Sequence, residues 1–163
     1  MHIYYNFDIN EKTSGFMNSF NILKYDNIVF LTCAYNELIN LPILPFNLQI
    51  LECQYNKLID LPILPNNLKE LFCGSNKLNY LPILPNCLTC FSCFSNKLIN
   101  LPILPNCLKY LYCTDNKLIN LPKFNKCIKY MEYDKNIIKY INNFNKEHNL
   151  NRIRIKIYDY IEF

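Results

Sequence analysis

The residues with the most obvious chemistry in this sequence are its cysteines, of which there are nine in 163 residues. Cys87, Cys90 and Cys93 have a spacing that resembles that of metal ligands. A structural zinc ion takes four ligands, however, and the two histidines, His2 and His148, lie near the two ends of the sequence. Whether the three thiols can converge on one ion therefore depends on the elements that carry them.

Those elements belong to a repeat with a period of 20 residues. The segment LPILP, a cysteine and an asparagine each recur with this period and in constant phase. The LPILP segments begin at Leu41, Leu61, Leu81 and Leu101, the cysteines are Cys33, Cys53, Cys73, Cys93 and Cys113, and the asparagines are Asn36, Asn56, Asn76, Asn96, Asn116 and Asn136. Because no insertion interrupts the series, each unit is expected to form one turn that stacks on the next.

Each unit contains a predicted strand and a predicted extended return. Leu51 and Cys53 alternate with other residues, the period of two that is typical of a strand. The prolines of LPILP restrict φ and remove hydrogen-bond donors, so this segment is expected to be extended and not helical. In this frame Cys93 faces the core, Cys90 lies on the opposite face of the strand, and Cys87 precedes the strand in a turn. The sequence therefore predicts no metal site, and nothing in it indicates a cofactor.

The repeated leucines and asparagines have structural interpretations. One turn cannot bury its leucines alone, but stacked turns share a continuous core. Each repeated asparagine is predicted to hydrogen-bond to backbone groups of neighbouring turns, so that the amides form a ladder along the stack.

The unit as a whole resembles the leucine-rich repeat. One copy reads Leu48-x-x-Leu51-x-Cys53-x-x-Asn56-x-Leu58-x-x-Leu61-Pro62-x-Leu64-Pro65. It is similar to the short 20-residue class with an LPxLP back that is known from bacterial type III secreted effectors. The resemblance implies a right-handed solenoid with a parallel β-sheet on its concave side and an extended, polyproline-like convex side. It also implies a protein-binding role.

The ends of the chain depart from the repeat, as the caps of a solenoid should. We predict an N-terminal cap at residues 1–27, six repeats at 28–141 and a small α/β C-terminal cap at 142–163. A helix is expected over 137–148 from its apolar spacing, followed by a last strand in which Ile153, Ile155 and Ile157 alternate with charged residues.

The predicted concave face is rich in aromatic residues, which are favoured at interfaces and as binding hot spots. The candidate partner-binding residues are Phe30, Tyr35, Ile50, Tyr55, Phe72, Phe94, Tyr110, Tyr112 and Tyr130. The competing interpretation is that Tyr and Phe are abundant only because their codons are AT-rich.

Two further stripes follow from the repeat. Lys57, Lys77, Lys97 and Lys117 line one rim, which is either a solvated face or a second site for an acidic partner such as nucleic acid. Ile43, Ile63, Ile83 and Ile103 lie between the prolines of LPILP. They form either an exposed apolar stripe on the convex side or a partly buried one between turns.

The remaining features exclude several classes of function. Motifs of serine hydrolases, P-loop enzymes and dinucleotide-binding enzymes are absent, so we predict no catalytic residue and no enzyme. The net charge of +4 is too small to indicate a nucleic-acid binder. No signal peptide or membrane span is visible, and nine cysteines fit a reducing cytoplasm. The codon bias is typical of a giant DNA virus or another AT-rich genome, in which case the partner is a host protein in the host cytosol. The sequence leaves the oligomeric state open.

Overall fold

A computed structural model describes residues 28–120, 122–123 and 126–134, together with the backbone of two outer strands at 3–6 and 154–158. The helix predicted over 137–148 and the sixth asparagine, Asn136, lie outside the described residues. Among the residues that are described, no helix has the length and apolarity needed to cross a bilayer.

The described chain forms one parallel sheet in which each turn contributes a single short strand. The strands are β1 (Ile3–Asn6), β2 (Ile28–Thr32), β3 (Ile50–Glu52), β4 (Glu70–Phe72), β5 (Cys90–Ser92), β6 (Tyr110–Tyr112), β7 (Tyr130–Asp134) and β8 (Arg154–Tyr158). They pair in sequence order, and the register from β3 to β7 advances by one repeat at each step, as in Leu51 opposite Leu71. The predicted parallel solenoid is therefore confirmed.

Side chains alternate between the core and the opposite face of the sheet. In β4, Leu71 is fully buried, whereas Glu70 and Phe72 are half-buried on the other face. The equivalent buried positions are Leu31, Leu51, Leu71, Phe91, Leu111 and Met131, and the buried cysteines are Cys33, Cys53, Cys73, Cys93 and Cys113. These two columns stack from turn to turn, so the core is continuous although no single turn encloses it.

The asparagine ladder is also confirmed over the described turns. The Asn76 amide donates hydrogen bonds to the carbonyl oxygens of Cys53 (3.0 Å) and Cys73 (3.1 Å). Its Oδ1 accepts a hydrogen bond from the backbone N–H of Leu58 at 3.0 Å. One side chain thereby satisfies backbone groups of its own turn and of the preceding turn, which an apolar residue cannot do.

The convex side consists of the extended LPILP segments and a tight turn after each of them. In the first such turn the N–H of Leu48 donates to the carbonyl of Pro45 at 3.1 Å, and the same bond recurs in the next three repeats. Leu44 and its equivalents point into the core, whereas the isoleucine between the prolines points outward. Ile63, Ile83 and Ile103 are 89–90% exposed, so the isoleucine stripe lies in solvent and not between turns.

Candidate binding surface on the concave face

The concave face consists of three columns of side chains that run across the strands. The first column is Phe30, Ile50, Glu70, Cys90, Tyr110 and Tyr130; the second is Thr32, Glu52, Phe72, Ser92, Tyr112 and Glu132; the third is Ala34, Gln54, Gly74, Phe94, Thr114 and Asp134. We call these three columns the floor. Neighbouring residues of a column are separated by about 4.8 Å, the spacing of the strands.

A trough crosses the floor at β5, because its two floor residues, Cys90 and Ser92, are small. Larger side chains stand on both sides, Phe72 of β4 and Tyr112 of β6 among them. Two strand spacings put β4 and β6 about 10 Å apart. The resulting cavity has a volume of about 700 Å³ and is lined by Glu70, Phe72, Cys90, Ser92, Phe94, Tyr110, Tyr112, Thr114 and Glu132.

One wall of the trough depends on a glycine. A Cβ atom added at Gly74 would lie 2.2 Å from the ring of Phe94, so the ring covers the glycine. The ring then makes an edge contact with Tyr55, with 5.9 Å between the centroids. Only a residue without a side chain permits this packing, and Phe94 is one of the residues that line the cavity.

A second aromatic pair lies on the rim. Tyr35 and Tyr55 follow the strands with φ of 57°, in the left-handed region of backbone conformation. Their rings stack with centroids 4.4 Å apart and planes inclined by 10°. Tyr35 is 73% exposed and Tyr55 is 42% exposed, so the pair borders the floor without lining the cavity.

On the other side of the trough, Tyr112 packs against Tyr130 with 5.5 Å between the ring centroids. The hydroxyl of Tyr130 donates a hydrogen bond to the carboxylate of Glu132. Burial raises the pKa of Tyr112, and the nearby ionisable groups of Cys90, Glu132 and Tyr110 raise it further. Burial, with a smaller contribution from the Glu70 carboxylate, raises the pKa of the Cys90 thiol to about 11.

The structure brings together some of the predicted site residues and separates others. Phe72, Phe94, Tyr110 and Tyr112 line the cavity, whereas Phe30, Tyr35, Ile50, Tyr55 and Tyr130 lie around it. The sequence pattern does not indicate five further lining residues, which are Glu70, Cys90, Ser92, Thr114 and Glu132. The 20-residue repeat places all five on the floor, but none of them is aromatic. Nothing in the sequence indicates that a small residue such as Ser92 forms the base of a cavity.

The three cysteines of the metal-like spacing occupy different environments, as predicted. Cys93 is buried in the core, and Cys90 lines the trough. The thiol of Cys87 lies in the turn, where it donates a hydrogen bond to the Asn66 carbonyl at 2.8 Å. Across the described residues, no cluster of three or more His, Cys, Asp or Glu side chains could hold a metal ion.

Burial also makes the cysteine column poorly reactive. It raises the pKa of the Cys33 and Cys73 thiols to about 12 and keeps those of Cys53, Cys93 and Cys113 well above their usual range. The thiolate is the nucleophile of cysteine chemistry, so these five side chains are unsuited to catalysis at neutral pH. All nine cysteines lie among the described residues, and none of them forms a disulfide.

The lysine rim is separate from the trough. Lys57, Lys77, Lys97 and Lys117 are exposed, and Lys57 forms an ion pair with Glu37 at 3.1 Å. Exposed pairs of this kind contribute little to stability, because water and salt screen the charges.

Comparison with known proteins identifies the fold. No protein-family model matches the sequence, and no curated protein does. Solved structures that are similar to this chain include YopM from Yersinia enterocolitica WA-314, with 31% identity and a TM-score of 0.66 over 83% of this chain. YopM from Yersinia pestis, a leucine-rich effector protein, has 30% identity and a TM-score of 0.65 over 69% of this chain. The leucine-rich-repeat domain of a Shigella effector has 24% identity and a TM-score of 0.62 over 81% of this chain.

The chain spans only part of each of these proteins: 27% and 33% of the two YopM chains and 64% of the Shigella domain. This similarity agrees with the parallel sheet of this chain, in which each 20-residue turn contributes one strand. It agrees also with the asparagine ladder. The chain therefore folds as a leucine-rich-repeat solenoid, like the repeat domains of these bacterial effectors.

Proposed function

We propose that this chain is a non-catalytic module that binds a partner protein through its concave floor. The observation that carries the proposal is the trough over β5, where aromatic side chains surround an open cavity of about 700 Å³. Phe72, Phe94 and Tyr112 are only half-buried, so they offer apolar area that a partner can cover. Aromatic residues in such central positions dominate the energy of many protein interfaces.

The family resemblance supports the same role. Leucine-rich-repeat folds of the effector type generally serve as protein-interaction scaffolds, and the aromatic floor adds support at the level of residues. Cysteines without disulfides, and a cysteine column that is poorly reactive, fit a protein that works in a reducing compartment without thiol chemistry. We infer a cytosolic setting, and a host protein as the partner if the chain comes from a virus.

The test is a double substitution on either side of the trough. Phe72→Ala with Tyr112→Ala should weaken binding to a purified partner, first identified by affinity capture, at least about tenfold, which corresponds to ~1.4 kcal/mol. The thermal melt should change little, because both side chains are half-exposed and outside the core. Tyr80→Ala is the matched control, since Tyr80 is an exposed tyrosine outside the floor.

The alternative is binding of nucleic acid or another acidic partner through the lysine rim. Lys77→Glu with Lys97→Glu reverses the charge of the central rim and leaves the floor intact. On our proposal this variant retains most of its affinity at physiological salt, because exposed charges are screened. Loss of binding in the rim variant, together with normal binding in the aromatic variant and a steep salt dependence, would favour the alternative.

A further inference from the structure

The floor contains hydrogen-bond acceptors with negative charge but no cation among its described residues. Its carboxylates are Glu52, Glu70, Glu132 and Asp134, and none of the floor positions of β2 to β7 is Lys or Arg. Asp134 is already engaged, because its carboxylate accepts hydrogen bonds from the backbone N–H groups of Asp115 and Asn116. The register continues the first two columns to Arg154 and Lys156 of β8, one strand beyond the cavity lining.

The ionisable groups inside the trough are in a negative environment. After burial, the Glu70 carboxylate is the influence that raises the pKa of Cys90, and Glu132 is among those that raise the pKa of Tyr112. Among the residues whose side chains the structure describes, no positive group lowers either pKa. A cation entering the trough therefore meets the Glu70 carboxylate, and the floor positions of β3, β4 and β5 around it carry no Lys or Arg.

The shape of the trough suits a flat group. Phe72 and Tyr112 occupy the same column on either side of Ser92, which is small and buried. Two strand spacings, about 10 Å between the backbones of β4 and β6, leave room for one planar group above Ser92. Glu70 lies in the neighbouring column, within the same cavity.

We propose that the trough over β5 receives an arginine side chain of the bound partner, with its guanidinium between Phe72 and Tyr112 and paired with the carboxylate of Glu70. This inference rests on the proposed function, since it specifies what the partner inserts into the floor. A guanidinium is planar, stacks on aromatic rings and donates paired hydrogen bonds to a carboxylate. An apolar side chain in the same place would bury the Glu70 charge without a partner, which is unfavourable.

The probe is N-acetyl-arginine N′-methylamide, and N-acetyl-citrulline N′-methylamide is its neutral analogue of nearly equal shape. Each is titrated into the whole chain labelled with 13C in the aromatic rings of Phe and Tyr, and NMR follows the ring resonances. We expect the arginine amide to shift the resonances of Phe72 and Tyr112 and the citrulline amide to leave them in place. Glu70→Gln should weaken arginine binding at least about tenfold, because a charge-assisted hydrogen bond becomes a neutral one.

Glu37→Gln is the matched control, because it removes the same charge from an exposed residue that pairs with Lys57 outside the trough. It should bind the arginine amide as the wild-type chain does. Amide spectra of both variants, compared with the wild type, show whether the fold is retained.

Three results would overturn the inference: equal shifts with citrulline, equal binding by Glu70→Gln and wild type, or no movement of the trough resonances with arginine. Tighter binding of the corresponding lysine amide would also overturn it and would identify a lysine site. In each case the proposed function is still supported if the Phe72→Ala, Tyr112→Ala double variant binds the captured partner more weakly than the wild type. The proposed function is contradicted, whatever the arginine titration shows, if that double variant binds the partner as the wild type does.

Discussion

The repeated shell and the concave floor are built from alternate residues of the same strands, yet they follow opposite rules. The shell comprises the buried leucines, the cysteine column and the asparagine ladder, and it hardly changes from turn to turn. The floor changes at nearly every strand, as in the second column, where Glu52, Phe72, Ser92 and Tyr112 follow one another. A residue that must pack on its own equivalent in the next turn is constrained to repeat, whereas a residue facing solvent is not. Folding therefore depends on the positions where the repeat is kept, and the proposed binding would use the positions where it is broken.

The largest effect that separates shell from floor should come from alkaline pH acting on the cysteine column. Folding raises the pKa of these buried thiols, that of Cys33 and Cys73 to about 12, whereas in the unfolded chain they ionise near their usual pKa of about 9. The folded state therefore holds more protons above pH 9, so stability is full below that pH and falls as pH rises. Each buried thiol contributes a loss of up to ~1.4 kcal/mol per pH unit, and five thiols together lose several.

Urea unfolding between pH 7 and pH 11 measures this loss. Cys73→Ala removes one thiol of the column and should reduce the slope of stability against pH by about one fifth. Unchanged stability up to pH 10 would contradict the deep burial of the column.

The second prediction compares two neighbours on β4. Leu71→Ala should lower the free energy of unfolding by ~2–5 kcal/mol, because Leu71 is fully buried and its loss leaves a cavity. Phe72→Ala should cost less than half as much, although it removes a larger side chain, since Phe72 is half-exposed on the floor. Equal costs in urea unfolding would erase the distinction between shell and floor.

The third prediction concerns the ladder. Asn76→Ala should cost ~1–3 kcal/mol, because the backbone N–H of Leu58 and the carbonyl of Cys53 lose a partner. Lys77→Ala, at the next residue, should stay within ~0.5 kcal/mol of the wild type because the side chain is exposed. A thermal melt of Asn76→Ala that coincides with the wild type would argue against a structural ladder.

The fourth prediction concerns the wall of the trough. Gly74→Ala places a methyl group where the Phe94 ring lies, so the ring must move and its contact with Tyr55 should be lost. The loss in free energy of unfolding should be smaller than the ~1–3 kcal/mol that is usual for overpacking, because the half-exposed ring can move toward solvent. NOE contacts between the two rings report the movement.

In a Phe94→Ala background, Gly74→Ala should not lower the free energy of unfolding any further, because the clash with the Phe94 ring is absent. Additive costs in the double variant would mean that Gly74 is required for another reason.

The smallest effect is expected on the convex stripe. Ile83→Ser should change the free energy of unfolding by no more than ~0.5 kcal/mol, because Ile83 is 90% exposed. Leu84→Ser, at the next residue, should be strongly destabilising, since it places a hydroxyl in the core. Destabilisation by Ile83→Ser comparable to that by Leu84→Ser would show that the stripe is covered, and size-exclusion chromatography would then show whether a second copy covers it.

The sequence predicted the shell almost residue by residue, because stacking imposes a period that can be read directly. Leu71, Cys73 and Asn76 have the burial or hydrogen bonds expected of them. The boundaries of the caps stay predictions, as does the binding role of the nine candidate residues. Of those nine, the four that line the trough are predicted as residues of the concave face because they are aromatic, whereas the lining carboxylates Glu70 and Glu132 carry no such signal.

The sequence by itself thus determined the turn length, the strand of each turn, the identity of the core and the strand face that remains open. Each of these follows from local periodicity and from the need to bury leucines and satisfy backbone groups. Tertiary structure alone decided where on that face a cavity forms. Its base is low because Cys90 and Ser92 are short between larger neighbours on β4 and β6, and Phe94 joins its lining while the ring lies over Gly74. These contacts are between residues about 20 positions apart, and they depend on how an aromatic ring is oriented. The sequence pattern does not encode that orientation.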